Sequence, residues 1–190
     1  MTWQLVRLED VPATPWRNGG GVTRELAVWP HGADWTWRMS VAEVGQSGPF
    51  SSFDGVDRWF AVLAGSGVQL MVDRQSHHLT AAQQPFFFDG AASTDCQLTD
   101  GVTQDFNLMV QSSRASAAMV RVSGRLEVAV DMTANASKII AVYAINTGAA
   151  VVFNGETLQL PAACLAWRAV DQPASARITS SNALWMEISL

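Results

Sequence analysis

Three arginines, Arg24, Arg38 and Arg58, stand inside stretches that are otherwise apolar or aromatic: GVTRELAVW, WTWRMSVAEV and VDRWFAVLA. Arginine is rarely buried without a partner. Each therefore calls for a protein carboxylate, for example Glu25, Glu43 or Asp105, or for an acidic ligand that a guanidinium can grip through charge-assisted, bidentate hydrogen bonds. Arg38 and Ser40 lie two apart and so share one face of a strand. In DFNLMV, Asp105, Asn107 and Met109 share a face and Phe106, Leu108 and Val110 the other. The apolar trio reads as core; Asp105 and Asn107 face solvent or a cavity mouth. Glu25 and Asp105 could be assembled into a general acid/base pair, but no nucleophile elbow or triad spacing accompanies them.

The segment PWRNGGGVTRE, from Pro15 to Glu25, is the second concentration of unusual chemistry. Its glycine spacing is not that of a dinucleotide fingerprint, and no Gly-Lys-Ser/Thr makes it a P-loop. Three glycines after Asn18 permit positive φ and close approach to a ligand. Successive backbone N–H groups there could form an anion-binding nest, flanked by Arg17 and Arg24. The alternative is a flexible hairpin with solvated arginines. Of the eight tryptophans, Trp16 in this segment is the one expected to touch a ligand.

Metal chemistry has little to draw on. The three histidines, His31, His77 and His78, show no ligand spacing, and adjacent residues on a strand point to opposite faces. Cys96 and Cys164 are far apart, form no C-x-x-C pattern, and read as reduced core thiols. The chain carries a net charge of −5 with scattered basic residues, which argues against a nucleic-acid partner. No apolar run reaches the roughly 18 residues needed to cross a bilayer, and no secretory signal is visible. No metal, cofactor, nucleic acid or membrane is expected, and the location expected is the cytoplasm.

The elements that must position these residues are strands. Apolar residues do not recur at helical spacing, and turn residues arrive about every ten positions. Strands are predicted at Trp3 to Leu8, Val22 to Trp29, Trp35 to Val44, Trp59 to Ala64, Val68 to Val72, Pro85 to Phe88, Thr94 to Leu98 and Asp105 to Val110. Ser112 to Ala118 reads as a connector or short helical crossing.

One stretch organises the rest. GQSGPFSSFDGVDRWFAVLAGSG, from Gly45 to Gly67, has the spacing of the first motif of the cupin β-barrels: Gly, five residues, His-x-His, four residues, Glu, six residues, Gly. Gly45, Ser51, Phe53, Arg58 and Gly65 fall on those positions, so the frame resembles a cupin whose metal ligands are gone. Arginine in place of an acidic ligand turns a cation site into an anion site. The second motif survives only as Gly90, with Phe88, Ser93 and Gln97 at its other positions, which suggests a polar, metal-free pocket floor. A weak internal echo, FAVLAG…PFFF against IAVYA…CLAWRA, suggests that the module is repeated. The fold expected is all-β: a cupin-type barrel (RmlC-like jelly roll) duplicated as a bicupin, with residues 1–112 as the N-terminal barrel and 113–190 as a smaller C-terminal one.

PWRNGGGVTRE, WRMSVAEV with GPFSSFDGVDRWFAVLAGSG, and FFFDGAASTDCQL with DGVTQDFNLMV together resemble the HutD/Ves family of bicupin-like proteins; Ala91-Ala92 departs from the acidic residue usual there. The resemblance implies a metal-free pocket and a sensing or regulatory role in histidine utilisation. It also implies binding of small acids such as urocanate or N-formylglutamate; Ves-type members are associated with cold or stress response. The reading is a small carboxylate held in the N-terminal barrel. Arg24 and Arg38 clamp it, Arg58 supplies further positive charge, and Asn18, Ser40, Ser51 and Asn107 give neutral hydrogen bonds. Phe53 and Trp16 form the apolar wall, and Glu25 and Asp105 orient the arginines. The rivals are a metal-independent isomerase or lyase with Glu25 or Asp105 as base, and a stress-response interaction module. A homodimer through an outer sheet face is the assembly kept open.

Overall fold

The computed structural model describes residues 2–132 and 137–190. Strands run in chain order as β1 (Gln4–Arg7), β2 (Thr14–Pro15), β3 (Gly21–Trp29), β4 (Trp37–Val44), β5 (Gly48–Pro49), β6 (Val56–Ala64), β7 (Val68–Val72), β8 (Gln75–Leu79), β9 (Phe86–Asp89), β10 (Thr94–Leu98) and β11 (Thr103–Gln111). They continue as β12 (Ser116–Val130), β13 (Lys138–Ala144), β14 (Ala149–Phe153), β15 (Glu156–Leu160), β16 (Cys164–Val170) and β17 (Ala174–Ser189). The described residues contain no α-helix, only a 3-10 turn at Leu8–Asp10. Among the described residues no helix is long and apolar enough to cross a membrane.

Two compact units divide the chain: Val11–Ala115, and the first ten residues together with Ser116–Leu190. In the first, an antiparallel sheet in the order β2-β3-β4-β11-β6-β9 stands against a second sheet, β5-β10-β7-β8. Phe60, Val62 and Phe88 from the larger sheet pack with Val68, Leu70 and Cys96 from the smaller. This is the sheet-on-sheet closure that period-2 alternation produces when one face of each sheet is apolar. β4 and β11 are buried on both faces. Trp37, Met39, Val41, Phe106, Leu108 and Val110 occupy one side, all at most 1% exposed, and Arg38, Ser40 and Asn107 lie on the other.

The second unit is one sheet built on the long β12–β17 ribbon, with β13 and β14 pairing different halves of β17. Its core gathers Val130, Ile140, Val151, Leu160, Ile178 and their neighbours.

Two expectations are corrected. The strand at Gln4–Arg7 does not open the N-terminal barrel; it pairs antiparallel with β16, Gln4 opposite Trp167 and Arg7 opposite Cys164. β13 covers only one edge of β16, and β1 satisfies the other. Of the two readings of Ser112–Ala118, connector or short helical crossing, the helical one is the one corrected: the segment opens as a connecting turn, closed by Arg114 and Ala115 N–H groups donating to the Gln111 carbonyl, after which β12 is already under way at Ser116. Both cysteines are free and buried.

Candidate functional site

β4, β6 and β11 carry polar side chains on the face that looks into the first unit, where a cavity of about 740 Å³ opens. Two loops complete its wall, residues 15–18 and 49–53. Of the residues proposed from sequence, Trp16, Asn18, Arg38, Ser40, Ser51, Phe53, Arg58 and Asn107 all line it.

Arg58 is the unusual one. It is 6% exposed, yet among the described residues it has no carboxylate partner. Its Nη2 donates to Asn107 Oδ1 at 3.0 Å, Nη1 reaches the Ser51 carbonyl at 3.5 Å, and Nε is buried without an acceptor. Three phenyl rings surround the guanidinium, Phe88 at 4.9 Å, Phe50 at 5.3 Å and Phe53 at 5.6 Å. Cation–π contacts offset part of the desolvation, roughly 0.5–2 kcal/mol each, but a ring is not a counter-ion. Burial, and secondarily the charge of Arg38, lowers the Arg58 pKa to about 10, so the group stays cationic at neutral pH.

Arg38 sits beside it on the same wall, its guanidinium 5.8 Å from the Trp35 ring. Glu25 pairs with it at 3.5 Å. A register shift between Glu25 and Ala27 lets β3 bring Glu25 there, as bulges commonly re-aim a side chain near a functional surface. With nearly half of the Glu25 side chain exposed (45%), this is a solvent-screened pair worth about 0.2–1 kcal/mol.

The glycine loop builds a wall rather than a nest. Gly19 N–H donates to the Trp16 carbonyl and Gly20 N–H to Asn18 Oδ1 at 3.0 Å, so these donors are already engaged. The Gly20 carbonyl accepts from Gly45 and Gln46, tying this loop to the next. Trp16 is fixed by its indole N–H donating to Thr23 Oγ1 at 2.7 Å and by edge-on packing against Phe50. Gly21 makes this packing possible, because a Cβ there would meet the Glu43 carbonyl at 2.4 Å and the Trp16 ring at 3.2 Å.

Gly90 holds the other loop. Its N–H donates to the Val56 carbonyl at 2.7 Å, and its carbonyl accepts from Phe53 N–H at 2.8 Å. An added Cβ would lie 2.7 Å and 2.8 Å from the Val56 and Phe53 carbonyl oxygens, both backbone atoms that cannot swing aside. Gly90→Ala is therefore expected to cost about 2–3 kcal/mol of stability. It should also displace Phe53 and the Ser51 carbonyl from Arg58; urea denaturation of the variant checks the stability loss.

Three proposed residues lie outside the lining. Arg24 alternates with Thr23, and Thr23 faces the cavity; Arg24 therefore projects from the other face and hydrogen-bonds Glu43 at 2.5 Å. Arg38 and Arg58, not Arg24 and Arg38, are the pair at the cavity. Glu25 reaches the site only through Arg38. Asp105 neither faces solvent nor lines the mouth: it is fully buried, accepting from Thr103 Oγ1 at 2.8 Å with its other oxygen unpartnered. Desolvation raises its pKa to about 7 against the smaller opposing effect of Thr103. The same carboxyl, after burial itself, helps push the Cys96 thiol to about 12. Both bases that a metal-independent isomerase would use thus stand away from the cavity surface.

Sequence reasoning missed Phe50, Thr23 and Met109, and left Arg17 outside the chosen set; all four line the cavity. Phe50 was signalled by the Gly-Pro turn just before it, and Met109 by its parity with Asn107. The histidines are placed elsewhere, with His77 packed against Phe86. Among the described residues no three His, Cys, Asp or Glu side chains cluster as metal ligands would.

With this geometry in view, the comparisons with known proteins agree among themselves. A family model described as HutD matches residues 8–186. An uncharacterized 21.2 kDa protein from the hutC 3′ region of Pseudomonas putida is 40% identical over 113 residues, 58% of this chain and 60% of that protein. Protein Ves of Cronobacter sakazakii is 38% identical over 119 residues, 62% of this chain and 65% of that one. The matches thus span less than two thirds of these curated relatives' length. A conserved protein of unknown function from Pseudomonas aeruginosa PAO1 superposes with a TM-score of 0.84 at 32% identity, over 100% of this chain and 98% of that one. HutD from Pseudomonas fluorescens SBW25 does so at 0.83 and 30%, over 98% of each chain. Salicylate 1,2-dioxygenase from Pseudoaminobacter salicylatoxidans, at 10% identity and a TM-score of 0.62 over 99% of this chain and 81% of its own, shares the cupin-type fold alone.

Proposed function

We propose, from the premise that this chain belongs to the HutD family of cupin-type proteins, that its N-terminal barrel binds a small organic carboxylate and serves as a sensor or regulator in histidine utilisation, to which the family's name links it. The observation that carries the reading is Arg58: a cation 6% exposed, facing a cavity, with a second arginine, Arg38, near enough to depress its pKa and no carboxylate partner among the described residues. An ionised group in such a place is costly unless a counter-ion arrives. A carboxylate from solution supplies that counter-ion and gains hydrogen bonds strengthened by the low local dielectric. The mixed wall of aromatic rings and a few convergent polar groups has the character of a small-molecule site. Ser40, Ser51 and Asn18 supply hydroxyl and amide groups around the anion, and Trp16, Phe50 and Phe53 exclude water.

Calorimetry with urocanate and with N-formylglutamate tests the reading. Binding of at least one is expected, weakened about tenfold or more in Arg38→Ala. Silence with both, or an affinity indifferent to Arg38→Ala, would count against it.

A further inference from the structure

An arginine of the other compact unit stands among apolar groups with even fewer partners than Arg58. Cys164, Ala166 and Val170 of β16 all enter that unit's core, so Arg168, on the same two-residue period, points inward with them. Ile140, opposite it on β13, is core as well. The Arg168 side chain is half-buried and lies over two rings, Phe153 at 4.2 Å and Trp3 at 5.6 Å. The rings themselves meet edge to face at 6.0 Å. Ring faces attract the cation but accept nothing from the N–H donors along its edge. Among the described residues the Arg168 guanidinium makes no ion pair and no hydrogen bond, and its Nε is buried without an acceptor. Arg58 at least has Asn107 and the Ser51 carbonyl; Arg168 has no such partner.

We propose that the second unit holds an anion site of its own, in which Arg168 binds the carboxylate of a small organic acid whose apolar body lies against Trp3 and Leu5. Leu5 pairs with Ala166 of β16, a core residue, so Leu5 stands on the same inward face, and yet it is 51% exposed. Water, and hence a solute, reaches this face beside a cation that lacks a counter-ion. The Nη groups lie in the guanidinium plane, away from the ring contacts, and a carboxylate accepts from them there. Because Phe153 and Trp3 already hold the guanidinium between them, little side-chain freedom is lost when the anion arrives. Trp3 and Leu5 belong to the first ten residues, which fold with this unit and not with the one that holds the arginine-lined cavity. The site is therefore separate from that cavity in its residues and in the chain segments that build it.

The test reads Arg168 itself. In protein labelled for NMR, the Nε–H signal of Arg168, assigned through its own side-chain connectivity, is followed while benzoate replaces chloride at constant ionic strength. A saturable shift is expected. Calorimetry on Arg58→Met, where the first cavity has lost its buried cation, should retain benzoate binding. Adding Arg168→Gln to that background should weaken it about tenfold or more, and adding Trp3→Ala about threefold or more. Inorganic phosphate, which brings charge without an apolar body, should bind more weakly than benzoate. A silent Arg168 would overturn the second site; a shift at Arg58 in the same titration would leave the first one standing. Benzoate binding that Arg168→Gln does not weaken would overturn the assignment to Arg168. Phosphate bound as tightly as benzoate would overturn the part given to Trp3 and Leu5. Because the shift is read on the native arginine, it decides the matter even where Arg168→Gln fails to fold.

Discussion

Replacing Arg58 with methionine is expected to abolish carboxylate binding while leaving the fold about as stable as before. The two halves of this result have opposite physical origins. Methionine fills much of the volume bounded by Phe50, Phe53 and Phe88 and removes a cation that the protein desolvates without a counter-charge. Replacing buried charge by a well-packed apolar side chain is often neutral or stabilising. Against this, Asn107 Oδ1 loses its donor, at roughly 1–3 kcal/mol if no water replaces it. The two largely offset, so a net change within about 1 kcal/mol is expected in urea denaturation. Binding has no such compensation: truncating one partner of a buried, hydrogen-bonded charge pair costs about 2–5 kcal/mol, or some 30-fold to several thousand-fold in affinity. A variant that unfolds would show Arg58 to be a structural residue. A variant that binds as wild type would move the site elsewhere.

The second large effect is a pH dependence of stability centred on Asp105. In the unfolded chain this carboxyl titrates near its ordinary value of 3.8; in the folded protein desolvation raises it to about 7. Between those values the folded state holds a proton that the unfolded state has released. The contribution of Asp105 to stability is therefore most favourable below about pH 4. It declines as pH rises toward 7 and is flat above it. Each pH step of one between the two values removes about 1.4 kcal/mol, so the whole loss amounts to at most about 4 kcal/mol. Asp105→Asn imitates the protonated form and keeps an acceptor for Thr103 Oγ1, so it should be more stable than wild type near pH 8 and nearly equal to it near pH 4. Urea midpoints over that range check this. A wild-type slope that persists unchanged in the variant would place the titration in another group.

How far the site was legible in the sequence depended on what each signal could carry. The spacing from Gly45 to Gly67 singles out Ser51, Phe53 and Arg58, and all three line the cavity, because strand and turn lengths in a barrel fix which positions converge. Alternation placed Arg38 with Ser40 on one strand and Asn107 with Asp105 and Met109 on another; that the two sets share a face follows only from the β4–β11 register, Asn107 opposite Ser40. It also contained the information that Arg24 points away, since Arg24 and the cavity-facing Thr23 are adjacent. What drew Arg24 into the site was its charge, and Glu43 across the β3–β4 ladder accounts for that charge. Glu25 could not be assigned by parity at all, because the bulge after it breaks the two-residue period. Asp105 shares a face with Asn107 as read, but depth along a strand is invisible to period-2 reasoning: one position reaches the cavity and the other is sealed in the barrel. The Gln4–Arg7 strand failed for a related reason. An alternating hexapeptide specifies a strand but not the sheet that it joins, and the free edge of β16 was more than a hundred residues away in sequence. The composition of the glycine loop admits either an anion nest or a flexible hairpin; in the fold the Gly19 and Gly20 N–H groups are engaged by the Trp16 carbonyl and Asn18 Oδ1.

Arg58 is the group on which the ligand's charge should come to rest. The most direct test is a crystal structure of the protein grown with a carboxylic acid that calorimetry shows to bind. The expected result is a carboxylate inside the N-terminal barrel with both oxygens within hydrogen-bond distance of the Arg58 guanidinium, and Arg38 beside it. An acid bound elsewhere, with Arg58 still held only by Asn107 and the Ser51 carbonyl, would contradict it.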